Sequence, residues 1–354
     1  METKMEAALK TAKGDFNISA VDAPDIAQPD WVLARVKVAG ICGTDLRHWK
    51  KEEPELEGKI MGHELAGEII KAGSAVTHLQ PGDRVVIETL LGDETCDWCR
   101  IQQYNLCPHL YEVRMKTLSQ AFAQYVAGPA KKFYKLPDHV SFEEATLLDT
   151  FSVCLHAVQL SGLKINDKVV VVGAGPIGLG QLQLAKICGA DVLVTDVVDG
   201  GLRLAKELGA DEVVNTKTED GYKKVMEFTN NRGADIVFEC AGGPAMPETL
   251  PQSTSFTRIG GKVVIVGGFD PGKTSIALEW QRIQMAQIQL IPSASYAFWG
   301  IDPEIQICLD LVAKGKLNAK KLITHSFRLE DINEAFEVAQ EKEKTNAVFV
   351  ALTI

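Results

Sequence analysis

The stretch VVVVGAGPIGLG, residues 169–180, limits the folds open to this chain more than any other. Consecutive valines read as a strand buried on both faces, and such strands belong to parallel sheets covered by helices on either side. Similar runs follow at DVLVTD (191–196), EVVNT (212–216), DIVFEC (235–240), KVVIVG (262–267) and IQLIPS (288–293). Between the first two lies PIGLGQLQLAKICGA, apolar at helical spacing. The alternation predicts an α/β unit over 153–290, built on a doubly wound parallel sheet of six strands.

Gly173, Gly175 and Gly178 spell G-x-G-x-x-G, a pattern that plain turns also produce. Here a strand precedes it and a helix follows, the setting of a dinucleotide site. The first glycine permits the tight turn, the second lets the backbone approach a pyrophosphate, and the third allows close helix–strand packing. The helix N-terminus then offers N–H groups to phosphate. Pro176 and Ile177 lie inside the motif, and Arg203, Val266 and Gly267 complete the expected cofactor contacts. Asp196 ends the second strand, where a carboxylate accepts ribose hydroxyls and repels a 2′-phosphate. NAD is therefore favoured over NADP; a structural βαβ unit without nucleotide is the alternative.

The flanking stretches differ. Residues 1–152 are rich in glycine, proline and short runs such as WVLARVKVAG and DRVVIET, the pattern of a compact β-rich domain. Residues 291–354 hold two helical segments and a last strand, NAVFVALTI, and are expected to rejoin the first domain. A net charge of −10 argues against a polyanion-binding surface, so no nucleic-acid partner is expected. There is no signal-like segment and no apolar run of membrane length, so the expectation is a cytoplasmic protein with no membrane partner. Cys154, Cys188, Cys240 and Cys308 sit singly in apolar surroundings and read as buried free thiols.

A metal constellation lies in the first part. Cys42 stands in the turn AGICGTDLRHW, and His63 and Glu64 follow in IMGHELAGEI. Asp149 lies in the apolar, helix-like run EEATLLDTFSVCLHAV, where coordination would offset the cost of burying a carboxylate. A helix cap or a buried salt bridge would also account for Asp149. A catalytic zinc takes roughly three protein ligands and an open position. A second cluster, GDETCDWCRIQQYNLC (92–107), offers three cysteines, one short of a closed structural site.

Together these motifs resemble the zinc-dependent medium-chain dehydrogenases/reductases, in the polyol (sorbitol) and threonine dehydrogenase branch. GICGTD (40–45), GHELAGEI (62–69), PGDRVV (81–86), FAQYV (122–126), YKLPD (134–138), GAGPIG (173–178) and GKVVIVG (261–267) carry the likeness, together with the cysteine loop. The resemblance implies a GroES-like catalytic domain joined to a Rossmann domain, and a homotetramer or homodimer. It implies a catalytic zinc on Cys42 and His63, with Glu64 as ligand or as a partner just behind the ligands. Asp149 holds the place of the branch's acid. Zinc favours the alkoxide of a bound alcohol, hydride passes to NAD, and Thr44 carries the leaving proton.

Two departures stand out. Where many relatives have a proton-relaying histidine the chain has Arg47, a poor base, so His48 or cofactor ribose and water must serve. Gly201 replaces an arginine often set against adenine, with Arg203 the candidate to compensate. Arg47, His48, Tyr111, Arg114, Gln120, Tyr296 and Trp299 fall near segments that line the cleft in similar enzymes. Ser295 before Tyr296 disfavours sorbitol itself, and the absence of a longer glycine- and histidine-containing loop at 86–95 lowers threonine. A polyhydroxylated small molecule (sugar, sugar alcohol or cyclitol) is the expected substrate. L-threonine-like amino-alcohol oxidation, a zinc-free quinone reductase or crystallin-like protein, and a non-catalytic NAD-binding protein are the alternatives.

The resemblance also resolves the second cluster. Its pattern is C-x2-C-x2-C-x7-C; with Cys96, Cys99 and Cys107 as the last three ligands, the first falls on Asp93. A carboxylate oxygen coordinates zinc at about 2.0–2.2 Å, so one aspartate and three cysteines are the expected structural site; three cysteines with a water, or no metal, are the alternatives.

Overall fold

The computed structural model describes residues 3–12, 14–116, 118, 120–268 and 275–354. Its centre is a six-stranded sheet with every pairing parallel, ordered Glu212–Asn215, Asp191–Asp196, Lys168–Val172, Ala234–Glu239, Thr257–Ile265 and Gln289–Pro292. The valines at 169–172 are all buried, as a strand covered on both sides requires. The strand order reverses beside Lys168–Val172, and the crevice outside the carboxyl ends there is where doubly wound sheets bind ligands.

A second sheet of seven strands forms the other lobe. Its strand Trp31–Gly40 pairs antiparallel with Glu64–Ala72 on one side and Phe349–Thr353 on the other, so the last strand lies beside one of the first. The strands Trp31–Gly40 and Glu64–Ala72 meet with Gly40 opposite Glu64, which sets Cys42 and His63 just beyond the ends of paired strands.

One long helix, Phe142–Ser161, joins the lobes and runs straight through residue 152. It begins at a capping box, in which Ser141 Oγ accepts the Glu144 N–H while the Glu144 carboxylate accepts the Ser141 N–H. It ends at Gly162, whose left-handed φ of 64° closes the last turn. Between these caps nearly every turn is buried, because the helix has protein on all sides. Leu147, Leu148, Phe151 and Cys154 share one core with Val38, Ala66 and Val86 of one sheet and Val169 and Val171 of the other. Among the described residues no helix is long and apolar enough to cross a membrane.

Candidate active site

Cys42 leads into the short helix Gly43–His48, and its N–H is accepted by Asp45 Oδ2 at 3.0 Å. The other oxygen of Asp45 lies 3.6 Å from His63 Nδ1, which orients that ring and leaves its second nitrogen for a ligand. Asp45 is buried, and the C-x-x-D spacing of Cys42 and Asp45 was the sequence signal for this support. The ligand atoms of Cys42, His63 and Glu64 all lie within 4.8 Å of one another. Glu64 Oε1 accepts the Thr150 hydroxyl at 2.9 Å, whereas its Oε2 is buried with no hydrogen-bond partner.

This group fits a divalent cation. Burial pushes the Cys42 thiol well above its ordinary value, and the charges of Glu64, Asp45 and Asp149 push the same way. The Glu64 carboxyl is raised too, first by burial and then by Asp149 and Asp45. No lysine or arginine among the described residues pairs with any of these acids at ion-pair distance. A thiol, an imidazole and an orphaned carboxylate oxygen crowded together with no ion-paired lysine or arginine is a donor set suited to zinc.

Asp149 stands close enough to act on both Cys42 and Glu64 electrostatically, yet it is not part of that three-residue convergence. Its Oδ1 instead accepts the hydroxyl of fully buried Tyr296 at 2.6 Å. Tyr296 is held in turn by its neighbour: the Ala297 N–H donates to Glu304, which also grips His156 Nδ1 at 3.0 Å. None of these long-range partners has a local sequence signature.

The relay region is arranged around Arg47. Its Nη2 donates to Thr44 Oγ1 at 2.9 Å, and its guanidinium lies against Gly268 of the other lobe. His48 turns to Glu53, with Nδ1 2.9 Å from the carboxylate. Tyr111 is exposed, Gln120 half-buried and Trp299 half-exposed; the Arg114 side chain lies outside the described residues.

At the glycine turn the backbone geometry of Gly173 and the packing of Gly178 are as expected. Gly173 has φ +105°, and Gly175 caps the helix Pro176–Ile187 with open space around its missing side chain. A Cβ on Gly178 would stand 1.8 Å from the Gly173 carbonyl oxygen. Gly178→Ala is therefore expected to cost about 3 kcal/mol, high for overpacking, and to abolish NADH binding. A denaturation midpoint and a fluorescence titration matching the unmodified protein would contradict this. Asp196 is pinned at the end of its strand, Oδ1 accepting the N–H groups of Val197 and Val198 and Oδ2 that of Ala174. Gly201 packs so tightly on Ala174 that a Cβ would come within 2.6 Å of its carbonyl oxygen, which leaves no room for an arginine side chain there. Exposed Arg203 donates to Asn346 Oδ1 at 3.3 Å, and the N–H groups of Val266 and Gly267 both donate to the Glu239 carbonyl.

Matches to known families agree with this geometry. Residues 28–138 match the alcohol dehydrogenase GroES-like domain, and residues 176–314 match the zinc-binding dehydrogenase domain. The chain is 33% identical to sorbitol dehydrogenase 1 of Saccharomyces cerevisiae over 338 residues, 92% of this chain and 91% of the relative. It belongs to the zinc-binding alcohol dehydrogenase family. It is also 34% identical over 351 residues to D-arabitol-phosphate dehydrogenase of Enterococcus avium, covering 96% of each. An Escherichia coli oxidoreductase/dehydrogenase of unknown specificity superposes with a TM-score of 0.88 at 31% identity, covering 99% of both chains.

Away from the reacting cleft, this dehydrogenase brings Asp93, Cys96, Cys99 and Cys107 together with all ligand atoms within 4.8 Å. Asp93 Oδ1 accepts the N–H groups of Thr95 and Cys96, both at 2.9 Å. Those two bonds, Cys96 first, hold its carboxyl well below the usual carboxylate range, and Oδ2 is left free of backbone donors. Burial pushes the Cys99 thiol up to about 12, and crowding by Cys96 and Cys107 adds to the shift. Three thiols pressed together beside a carboxylate fit a closed zinc site.

Proposed function

We propose that the chain is an NAD-dependent zinc dehydrogenase that oxidises a secondary alcohol of a polyol, sugar or cyclitol. The observation that carries this reading is the convergence of Cys42, His63 and the unpartnered Glu64 oxygen. In the proposal these three hold the reactive zinc, and Asp149 with Tyr296 shapes the wall beside it. A zinc held there would supply Lewis-acid polarisation of the substrate hydroxyl, and NAD would supply the hydride acceptor. Asp45 keeps His63 oriented and Thr150 keeps Glu64 in place. Thr44 Oγ1 accepts Arg47 with one lone pair and keeps the other for the substrate's proton. Arg47 cannot take that proton onward, so His48, paired with Glu53, is assigned as acceptor.

Gly173, Gly175, Pro176, Ile177, Gly178, Asp196, Arg203, Val266 and Gly267 are assigned to NAD. Asp93, Cys96, Cys99 and Cys107 are assigned to a structural zinc. The proposed lobes are 1–152 with 291–354, and 153–290. Eight unpaired cysteines suit the reducing cytoplasm. A homodimer or homotetramer is the proposed assembly, because Ile259, Trp280 and Met285 leave large apolar surface exposed on the dinucleotide-binding lobe.

The test is a panel of polyols, aldoses, inositols and β-hydroxy amino acids with NAD, followed by NADH absorbance. Turnover of a polyhydroxylated member is expected. Reduction of quinones by protein purified without zinc, with no alcohol oxidised, would reject the reading.

A further inference from the structure

Glu239 closes the strand Ala234–Glu239 with a fully buried carboxylate, which pairs with no lysine or arginine at ion-pair distance among the described residues. Burying such a group is costly, and the chemistry proposed above makes no use of it. Two chain segments supply what compensates it. Oε1 accepts the N–H groups of Ala241 at 3.2 Å and Gly242 at 3.1 Å, and the Thr249 hydroxyl at 2.7 Å. The main-chain carbonyl accepts the N–H groups of Val266 and Gly267, both at 2.9 Å. One residue therefore ties down two loops, the one after its own strand and the one after Thr257–Ile265.

The second carboxylate oxygen shows how closely those loops are laid. Oε2 is buried with no hydrogen-bond partner, and a Cβ on Gly267 would stand 2.6 Å from it. A Cβ on Gly242 would stand 2.6 Å from the Gly268 carbonyl oxygen, which itself accepts the Gly243 N–H at 2.6 Å. The loops rest on the carboxylate and on each other, with no side chain between them.

Their place in the sheet says which part of a dinucleotide they meet. Counted from the proposed ribose-binding acid, the strands run Asp191–Asp196, Lys168–Val172, Ala234–Glu239 and Thr257–Ile265. At the far end the second loop reaches the other lobe. Gly268 lies against Arg47, whose guanidinium donates to Thr44, two residues from Cys42. A dinucleotide laid along the carboxyl edge with its adenosine at Asp196 brings its nicotinamide end to these two loops.

We propose that Glu239 is a positioning residue for the nicotinamide end of the cofactor. It touches neither the ring nor the substrate. It fixes the loops 240–243 and 266–268 against each other, and with them the surface on which Arg47 rests. The assignment rests on the NAD reading above and adds a buried residue to it.

Zinc-loaded protein, unmodified and as Glu239→Ala and Glu239→Gln, would be titrated calorimetrically with NADH and with ADP. ADP carries the adenosine and the diphosphate but no nicotinamide. Glu239→Ala leaves the Ala241 and Gly242 N–H groups without their acceptor and is expected to weaken NADH by about tenfold to a hundredfold. Its affinity for ADP should be unchanged. Glu239→Gln keeps the accepting oxygen and should recover most of the loss. Should the alanine variant not fold, Thr249→Val removes one of the three donors to Oε1, and a smaller loss of the same kind is expected. Equal weakening of NADH and ADP would mark Glu239 as a support of the whole lobe and overturns the proposal. Unaltered NADH affinity in Glu239→Ala, or in Thr249→Val where it stands in, does the same. Failure of the unmodified protein to bind NADH overturns the NAD reading itself.

Discussion

Cys42→Ser should lose at least about 1,000-fold in kcat/KM toward the best polyol, the loss expected when several kcal/mol of charge stabilisation disappear. The same change should lower zinc from about two ions per chain toward about one. The physical reason is the composition of the cluster. Asp45, Glu64 and Asp149 act on the one half-buried thiol, and no lysine or arginine among the described residues pairs with them at ion-pair distance. Serine keeps the capping geometry, since the Asp45 carboxylate still receives the backbone N–H of residue 42. It supplies a far weaker donor to the metal. Turnover and zinc content equal to the unmodified protein would place the reactive centre elsewhere.

Asp93→Ala should remove the other ion, again leaving about one zinc per chain, with a lowered unfolding temperature and little change in the binding of ADP-ribose. Alanine removes two things together: the proposed ligand oxygen and the acceptor that closes the turn onto Thr95 and Cys96. Asp93→Asn separates them, because its amide oxygen still accepts both N–H groups while the charge is gone. Weakened zinc retention in the asparagine variant, measured against a chromogenic chelator, is the expected result. Retention equal to aspartate would make Asp93 a turn former and leave the metal to three cysteines.

The parts of this molecule written locally were legible in the sequence. Valine runs between glycine turns specify strands buried on both faces, and the observed parallel sheet holds all six in the expected segments. The place of Asp93 beside Cys96, Cys99 and Cys107 came from the register of the family pattern, and the four side chains do converge. Partners brought in by topology could not be counted. Asp149 and Tyr296 are separated by 147 positions, and nothing near either residue names the other. The neighbouring choice at Arg47 and His48 was equally hidden, because both are polar residues on one short helix. Only the fold shows that the guanidinium meets Thr44 while the imidazole meets Glu53. The division at residue 152 followed a change in composition, whereas the helix Phe142–Ser161 has continuous hydrogen bonding across it. Composition reports what a segment is surrounded by, and this helix is surrounded by both lobes.

That helix behaves as a shared beam. One turn of it presents Asp149 and Thr150 to Tyr296 and Glu64; the next places Cys154 Sγ 3.1 Å from the carbonyl of Ile177 inside the glycine turn. The proposed metal group and the glycine turn are therefore both set out along a single helix. Halves of the chain made by cutting at 152 would each inherit a stump of it, with an apolar flank and no core to cover it.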